Sequence, residues 1–293
     1  MNRSVKPMGV HDAMAYVRLR LETSGVSEAP LEAEVLLRHV LNLADRASYF
    51  SLTDLPLTPQ QQENLEGLLI RREQREPLPY ILRHREFYGI TLEVSPAVLI
   101  PRPETEGLVD EALHWIEKRS RFGKPVVVAD VGVGSGCIAI ALASHSVAET
   151  IYGTDISFAA IEIATRNLHR YGLEERVELI QGELLSPLPK QVDLIVANLP
   201  YVIEEEVGNL APEIRDYEPR IALIGGQDGT SVLSQLLDDA PRWLNTDGAL
   251  IVEIDPRQKD FLIGKARLVF PLALVRIAQD LAGLDRVMVI EQT

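Results

Sequence analysis

The chain of 293 residues has a single cysteine, Cys137, so it forms no internal disulfide and offers no cysteine cage for zinc. Aromatic residues are scarce at 5%, and the 6 histidines are scattered without the pair spacing of a metal site. No apolar run approaches the roughly 20 residues that span a bilayer. The first residues, MNRSVKPMGVHDAMAY, lack the apolar stretch of a secretory signal. These absences predict a protein of a reducing, cytoplasmic compartment with no membrane partner. Positive charge is short as well: 29 Lys and Arg stand against 43 Asp and Glu, a formal net charge of −14. A protein held on nucleic acid by phosphate contacts needs a basic face. Stable nucleic-acid binding is therefore not expected.

What is present is an ordinary globular composition, 46% hydrophobic, long enough for one large domain or two smaller ones. The charge is unevenly placed: the first 100 residues carry −2 and the remaining 193 carry −12. The densest basic stretch holds Arg71, Arg72, Arg75, Arg83 and Arg85. It reads equally as a solvated helix end or as a contact surface.

The first 76 residues read as helices. Met14, Val17 and Leu21 have helical spacing within Val10–Leu21, and a second helix is predicted over about residues 29–42. Thr58-Pro59-Gln61 has the form of a helix start, with Thr58 as N-cap and Gln61 completing a capping box. Glu76-Pro77-Leu78-Pro79 ends that helix. Short β segments follow around Tyr88-Gly89, the pattern of a hairpin. From there strands and helices alternate, which argues an α/β domain with a mainly parallel sheet covered on both faces. Leu274–Gln279 and Asp285–Ile290 read as a final hairpin, so the last strand is expected to be antiparallel. The expected organisation is a helical domain over 1–79, a β-hairpin linker over 80–100, and an α/β domain over 101–293.

Three motifs carry chemistry. Asp130-Val131-Gly132-Val133-Gly134-Ser135-Gly136 ends a predicted strand and starts a helix. Glycines there let a ligand approach the backbone, beside unpaired N–H groups at the helix start. The dinucleotide fingerprint would need a further glycine where Cys137 stands, so the spacing suits a smaller ligand. The alternative is a tight turn with no ligand. Asp155 ends the next predicted strand, 19 residues after Gly136, where a carboxylate accepts from two ribose hydroxyls. Alone it would equally serve as a helix N-cap. Asn198-Leu199-Pro200-Tyr201 follows the apolar strand Leu194–Ala197. The Asn198 side-chain oxygen and the next backbone carbonyl are two acceptors that grip a planar NH2 group and aim its nitrogen at an electrophile. Tyr201 offers a flat face to a planar substrate group, and a simple strand-ending turn is the alternative.

Asn198-Leu199-Pro200-Tyr201 resembles the (Asn/Asp)-Pro-Pro-Tyr signature of S-adenosylmethionine-dependent methyltransferases acting on amide or exocyclic amine nitrogens. The wider sequence resembles the release-factor glutamine methyltransferases (PrmC/HemK). The matching segments include Glu76–Ile81, Glu86–Gly89, Val98–Glu106, Gly132–Cys137, Thr154–Ser157, Tyr217–Pro219, Gly225–Gly229, Glu253-Ile254 and Asp280–Arg286. This resemblance implies the class I, Rossmann-like methyltransferase fold behind an N-terminal helical domain. It implies methyl transfer from S-adenosylmethionine, leaving S-adenosylhomocysteine, to the side-chain amide nitrogen (N5) of the glutamine in the Gly-Gly-Gln motif of class 1 peptide-chain release factors. Carried over residue by residue, Gly132, Val133, Gly134, Ser135 and Gly136 hold the methionine tail, Asp155 the ribose, and Glu183 and Leu184 the adenine. Asn198 and the Leu199 carbonyl hold the glutamine NH2, with Pro200 and Tyr201 beside it. Leu199 stands where the family usually has proline, Leu184 where an aromatic residue often covers the adenine, and Asp255 where glycine is usual.

An adenine-N6 methyltransferase acting on RNA or DNA is the alternative reading, since Asn-Leu-Pro-Tyr also occurs in ribosomal RNA adenine dimethylases. Those enzymes are basic and begin close to the cofactor loop, unlike this chain. A non-catalytic S-adenosylmethionine sensor is a third class, for which Asn198 and Tyr201 have no use. The enzyme is expected to be a monomer without a metal ion. Its acidic surface, with Glu204, Glu205, Glu206, Glu213, Asp216 and Glu218 as candidates, would attract the basic surroundings of a Gly-Gly-Gln loop.

Overall fold

Thr58, Pro59 and Gln61 start a helix as their spacing predicts: Thr58 Oγ1 accepts from the Gln61 N–H at 3.2 Å and Gln61 Oε1 accepts from the Thr58 N–H at 2.9 Å. The computed structural model describes residues 8–43, 45–50, 55–121, 123 and 125–292. The first seven residues of the stretch read above for a secretory signal lie outside the described residues. The chain divides into two compact units, one of residues up to Arg83 together with Pro212–Tyr217, the other of His84–Ala211 and the chain from Glu218 on.

The helical unit holds α1 (Val10–Thr23), α2 (Ala29–Val40), α3 (Arg46–Phe50), α4 (Pro59–Glu73) and α5 (Leu78–Leu82). Val17, Leu21, Leu36, Leu37, Leu65 and Leu69 meet in its core at helical spacing. α5 is a turn of helix that the Pro-rich stretch hides. Pro79 sits in its first turn, where a missing N–H costs nothing.

The second unit opens with β1 (His84–Phe87) and β2 (Ile90–Glu93), paired antiparallel. Tyr88 and Gly89 join them with φ of 50° and 72°, the left-handed pair that a two-residue hairpin turn requires. Phe87, Ile90 and Leu92 are buried in the same core as the main sheet. The hairpin therefore packs as part of this unit, and the division falls at 83/84 where the sequence suggested 79/80. There follow α6 (Glu106–Ser120), β3 (Val127–Val131), α7 (Cys137–His145), β4 (Thr150–Asp155), α8 (Phe158–Tyr171), β5 (Val177–Gln181) and β6 (Val192–Ala197). The short α9 (Pro212–Tyr217) belongs with the helical unit. Then come α10 (Ser231–Trp243), β7 (Leu244–Glu253), α11 (Lys259–Val269), β8 (Leu274–Gln279) and β9 (Asp285–Glu291).

The seven strands lie in the order β5-β4-β3-β6-β7-β9-β8, and β9 is antiparallel to both of its neighbours. Alternate strand residues feed opposite faces. Val128, Ile151, Leu194 and Ile251 pack with α6, α7 and α8, whereas Ala129, Tyr152, Ile195 and Leu250 pack with α10 and α11. The strand order reverses between β3 and β6, and such a switch point opens a crevice at the carboxyl ends of the strands. Both the glycine segment and Asn198 emerge there. Among the described residues no helix is long and apolar enough to cross a membrane.

Candidate active site

The glycine loop leaves β3 with Gly132, Gly134 and Gly136 at φ of 75°, 54° and 83°, a left-handed backbone that disfavours any side chain. Most of its amides are used internally. Gly132 and Val133 donate to the Thr154 carbonyl, Gly136 to the Val133 carbonyl and Gly134 to Oδ2 of Asp155. Ser135 lines the crevice, and among the described residues no acceptor meets its N–H. Gly136 has a packing role. A Cβ there would lie 3.2 Å from Ile140 and 3.6 Å from the Ala164 Cα, so its bareness lets α7 approach α8.

Asp155 does not cap α8; that role falls to Ser157, whose side chain accepts from the Ala160 N–H. The Asp155 carboxylate instead accepts from the N–H groups of Gly134 and Ser157, at 2.9 and 2.8 Å, and burial raises its pKa. Its direction is set by the turn, leaving further lone pairs for a ligand. Beneath the loop, Asp130 is fully buried. Its Oδ2 accepts from the Ala139 N–H at 2.9 Å, and Oδ1 has no partner among the described residues. Burial pushes its pKa up to about 7, opposed by the Ala139 N–H and reinforced by the Asp155 charge. Burial pushes the Cys137 thiol up to about 12, away from the thiolate form.

A cavity of about 420 Å³ occupies the crevice, within the usual range for small-molecule sites. Gly132, Val133, Gly134, Ser135 and Asp155 line one side of it, and Glu183 and Leu184 another. Asn198, Leu199 and Pro200 form a third side. Leu184 is held at φ of 47°, with its carbonyl accepting from the Thr154 hydroxyl at 2.8 Å. Ile156 and Ile221, 52% and 58% exposed, also line the cavity and were not singled out in the sequence. Exposed aliphatic side chains next to a carboxylate are the signal that would have found Ile156.

Asn198 donates from Nδ2 to Thr105 Oγ1 at 2.9 Å, and among the described residues nothing donates to its Oδ1 or to the Leu199 carbonyl. Leu199 is 5% exposed and fills the space over Gly132, which accounts for a bulky residue where the resembling family has proline. Tyr201 is not among the residues that line the cavity. Its hydroxyl donates to Glu253 Oε1 at 3.3 Å, and its carbonyl accepts from Gln258 Nε2 at 2.9 Å. The Gly225–Gly229 turn lies behind the same loop. A Cβ on Gly225 would come within 2.5 Å of the Pro200 carbonyl oxygen, and one on Gly229 within 2.3 Å of the Tyr201 oxygen. The Gly-Gly-Gln triplet in this turn is thus a backbone contact.

Asp255, where glycine is usual in the resembling family, has a local role. It caps the turn at Pro256–Gln258, accepting from the Arg257 N–H at 2.8 Å and pairing with the Arg257 guanidinium. The acidic candidates for partner docking mostly have internal partners. Glu218 is 5% exposed and bound to Arg102 and the Ile100 N–H, Glu206 pairs with Arg257, Asp216 with Arg215, and Glu213 with Arg72 and Arg75. Of these candidates Glu204 and Glu205 alone stay exposed without an ion pair among the described residues. The basic stretch is neither a solvated end nor a contact face at Arg71, Arg72 and Arg75, which pair with Glu76, Glu32 and Glu213.

A glycine loop and an acidic strand end at the switch point, on a sheet with an antiparallel last strand, define a methyltransferase of the class I, S-adenosylmethionine-dependent fold. Solved structures agree on the fold: a methyltransferase from Pyrococcus furiosus superposes with a TM-score of 0.53 at 15% identity, covering 80% of this chain and 99% of that one. The T. thermophilus 16S rRNA N2 G1207 methyltransferase gives 0.51 at 15% identity, over 72% of this chain and 50% of that one. A family model for the PrmC N-terminal domain matches residues 12–82, and one for ribosomal protein L11 methyltransferase matches residues 109–239. The release factor glutamine methyltransferase of Geobacter sulfurreducens is 41% identical over 95% of both chains. That of Rhodopirellula baltica is 36% identical over 89% of both, and the human MTRF1L release factor glutamine methyltransferase is 36% identical over 93% of this chain and 84% of its own. The chain belongs to the release factor glutamine methyltransferase family.

Proposed function

We propose that this protein transfers a methyl group from S-adenosylmethionine to the side-chain N5 nitrogen of the glutamine in the Gly-Gly-Gln motif of class 1 peptide-chain release factors. The observation that carries this reading is that Asn198 and Leu199 both line the cavity, with the Asn198 NH2 already given to Thr105 and, among the described residues, no donor on Asn198 Oδ1 or the Leu199 carbonyl.

The residues present fit the cofactor. The bare Gly132 cradle, the unpartnered Asp130 Oδ1 below the loop and the turn-fixed Asp155 carboxylate suit a ligand with an amino-acid end and a ribose. Gly132, Val133, Gly134 and Ser135 would hold the methionine end, Asp155 the ribose, and Glu183, Leu184 and Ile156 the adenine. When bound, S-adenosylmethionine supplies an electrophilic methyl on a positively charged sulfur.

The target amide nitrogen is a poor nucleophile because its lone pair is delocalised into the carbonyl. Asn198 Oδ1 and the Leu199 carbonyl would accept both N–H groups, fix the nitrogen's orientation and stabilise the positive charge it gains as the N–C bond forms. Among the described residues no strong base adjoins the motif, so the amide proton leaves to water after the transfer, once the nitrogen is acidic. The helical unit is assigned substrate recognition, with the release factor as partner.

Incubation with labelled S-adenosylmethionine and either a class 1 release factor or bare ribosomal RNA tests the reading. Label is expected on the release-factor glutamine, and label on RNA adenine would establish the alternative. Asn198→Ala is expected to lower the rate by about 10²–10³, the scale of removing one preorganised polar partner.

A further inference from the structure

Glu253, at the end of β7, is 1% exposed, yet neither cofactor nor substrate binding as proposed above uses it. Its Oε2 accepts from Thr105 Oγ1 at 2.7 Å and its Oε1 from Tyr201 Oη at 3.3 Å. Thr105 is also 1% exposed, and its Oγ1 lies 2.9 Å from Asn198 Nδ2. A hydroxyl has one proton, and Glu253 accepts a hydroxyl at each of its two oxygens. The Thr105 proton therefore goes to Glu253, and Thr105 faces Asn198 with a lone pair alone. Only the NH2 half of the Asn198 amide answers a lone pair, so the oxygen half turns away from Thr105.

We infer that Glu253, acting through Thr105, is a positioning residue that decides which end of the Asn198 amide is presented to the substrate. The inference rests on the assignment of Asn198 as an acceptor for the target NH2. An asparagine amide rotated by half a turn fills the same volume with oxygen and nitrogen exchanged, so packing cannot choose between the two. In the wrong orientation two donors would face each other at the target nitrogen. A hydroxyl alone does not choose either, because it gives or takes equally well. The buried carboxylate breaks this symmetry. Burial raises its pKa, and the Thr105 hydroxyl, the positive charge of Arg286 and the Tyr201 hydroxyl act against that rise.

Four variants of the full chain test this: Asn198→Ala, Thr105→Val, Thr105→Ser and Glu253→Gln. For each, thermal midpoint, S-adenosylhomocysteine affinity, and kcat and KM for a release factor are measured. Thr105→Val keeps the shape and removes the relay; kcat is expected to fall about 10–10²-fold, with cofactor affinity nearly unchanged. Thr105→Ser, which keeps the hydroxyl, is expected to restore most of the rate. Glu253→Gln can both give and take at Thr105, so it is expected to fold and to lose several-fold in kcat. Wild-type kcat in Thr105→Val, or no recovery in Thr105→Ser, overturns the inference while inactive Asn198→Ala leaves the proposed site standing. If Thr105→Val does not fold, wild-type kcat in Glu253→Gln overturns it. Wild-type kcat in Asn198→Ala removes the site assignment itself.

Discussion

A Cβ placed on Gly132 would lie 2.9 Å from Cδ2 of Leu199. The loop assigned to the cofactor and the loop assigned to the substrate thus touch through the one methyl group that Gly132 lacks. Each loop limits the position of the other, and methyl transfer requires donor and acceptor atoms to be held in a fixed relation.

Gly132→Ala meets two penalties, the contact with Leu199 and a φ of 75°. It is expected to lower stability by about 1 kcal/mol or more. It should also weaken S-adenosylhomocysteine binding. Calorimetric titration beside a thermal melt checks both; unchanged affinity in a folded variant would show that the loop does not hold the ligand.

Gly225→Ala acts from behind the Asn198–Tyr201 loop, where a Cβ would come within 2.5 Å of the Pro200 oxygen and 2.8 Å of the Tyr201 Cα. A shift of the loop by a fraction of an ångström to an ångström is expected to cost up to about 10²-fold in kcat. Cofactor affinity should change little, because the glycine loop is not displaced. A joint loss of both would assign Gly225 to general folding.

Within the helical unit, Arg72 holds Glu213 at 3.0 Å and Arg75 holds it at 2.7 Å. Burial acts to raise the Glu213 pKa, but hydrogen bonds from Arg75 and Arg72 prevail and the net shift is downward. The clamp therefore stabilises fully above the unfolded glutamate pKa of about 4.3 and is lost as pH falls through the lower folded value. Glu213→Gln is expected to lower stability by about 1–3 kcal/mol at neutral pH. The gap from wild type should close below about pH 4; a pH-independent difference in denaturant midpoint would contradict the clamp.

Glu204 and Glu205 are exposed, unlike most of the acidic residues near them in sequence. If they steer a basic substrate, Glu204→Gln with Glu205→Gln lowers kcat/KM for the release factor a few-fold at low salt and weakens its salt dependence, with kcat unchanged. An unaltered salt dependence would remove these two residues from the encounter surface.

Local rules determined much of this protein from its sequence. The capping box at Thr58 and Gln61, the hairpin turn at Tyr88-Gly89 and the span Phe158–Tyr171 all depend on residues a few positions apart. The glycine loop, Asp155 and Asn198 were legible because strand ends at a switch point carry recognisable residue types. α11 has only a weak sequence pattern, because Leu262 and Ala266 are its only buried residues and Gly264 interrupts it. Tertiary structure alone placed β9 between β7 and β8, and it assigned Gly136 to packing and Tyr201 to Glu253. It also joined Thr105 to Glu253 across 148 residues and Arg72 to Glu213 across 141. The physical reason is that hydrogen bonds and ion pairs in a folded chain are chosen by proximity in space, which spacing along the sequence does not encode. The sequence supplied the groups for the chemistry, and the fold decided which of them face the cavity and which hold those in place.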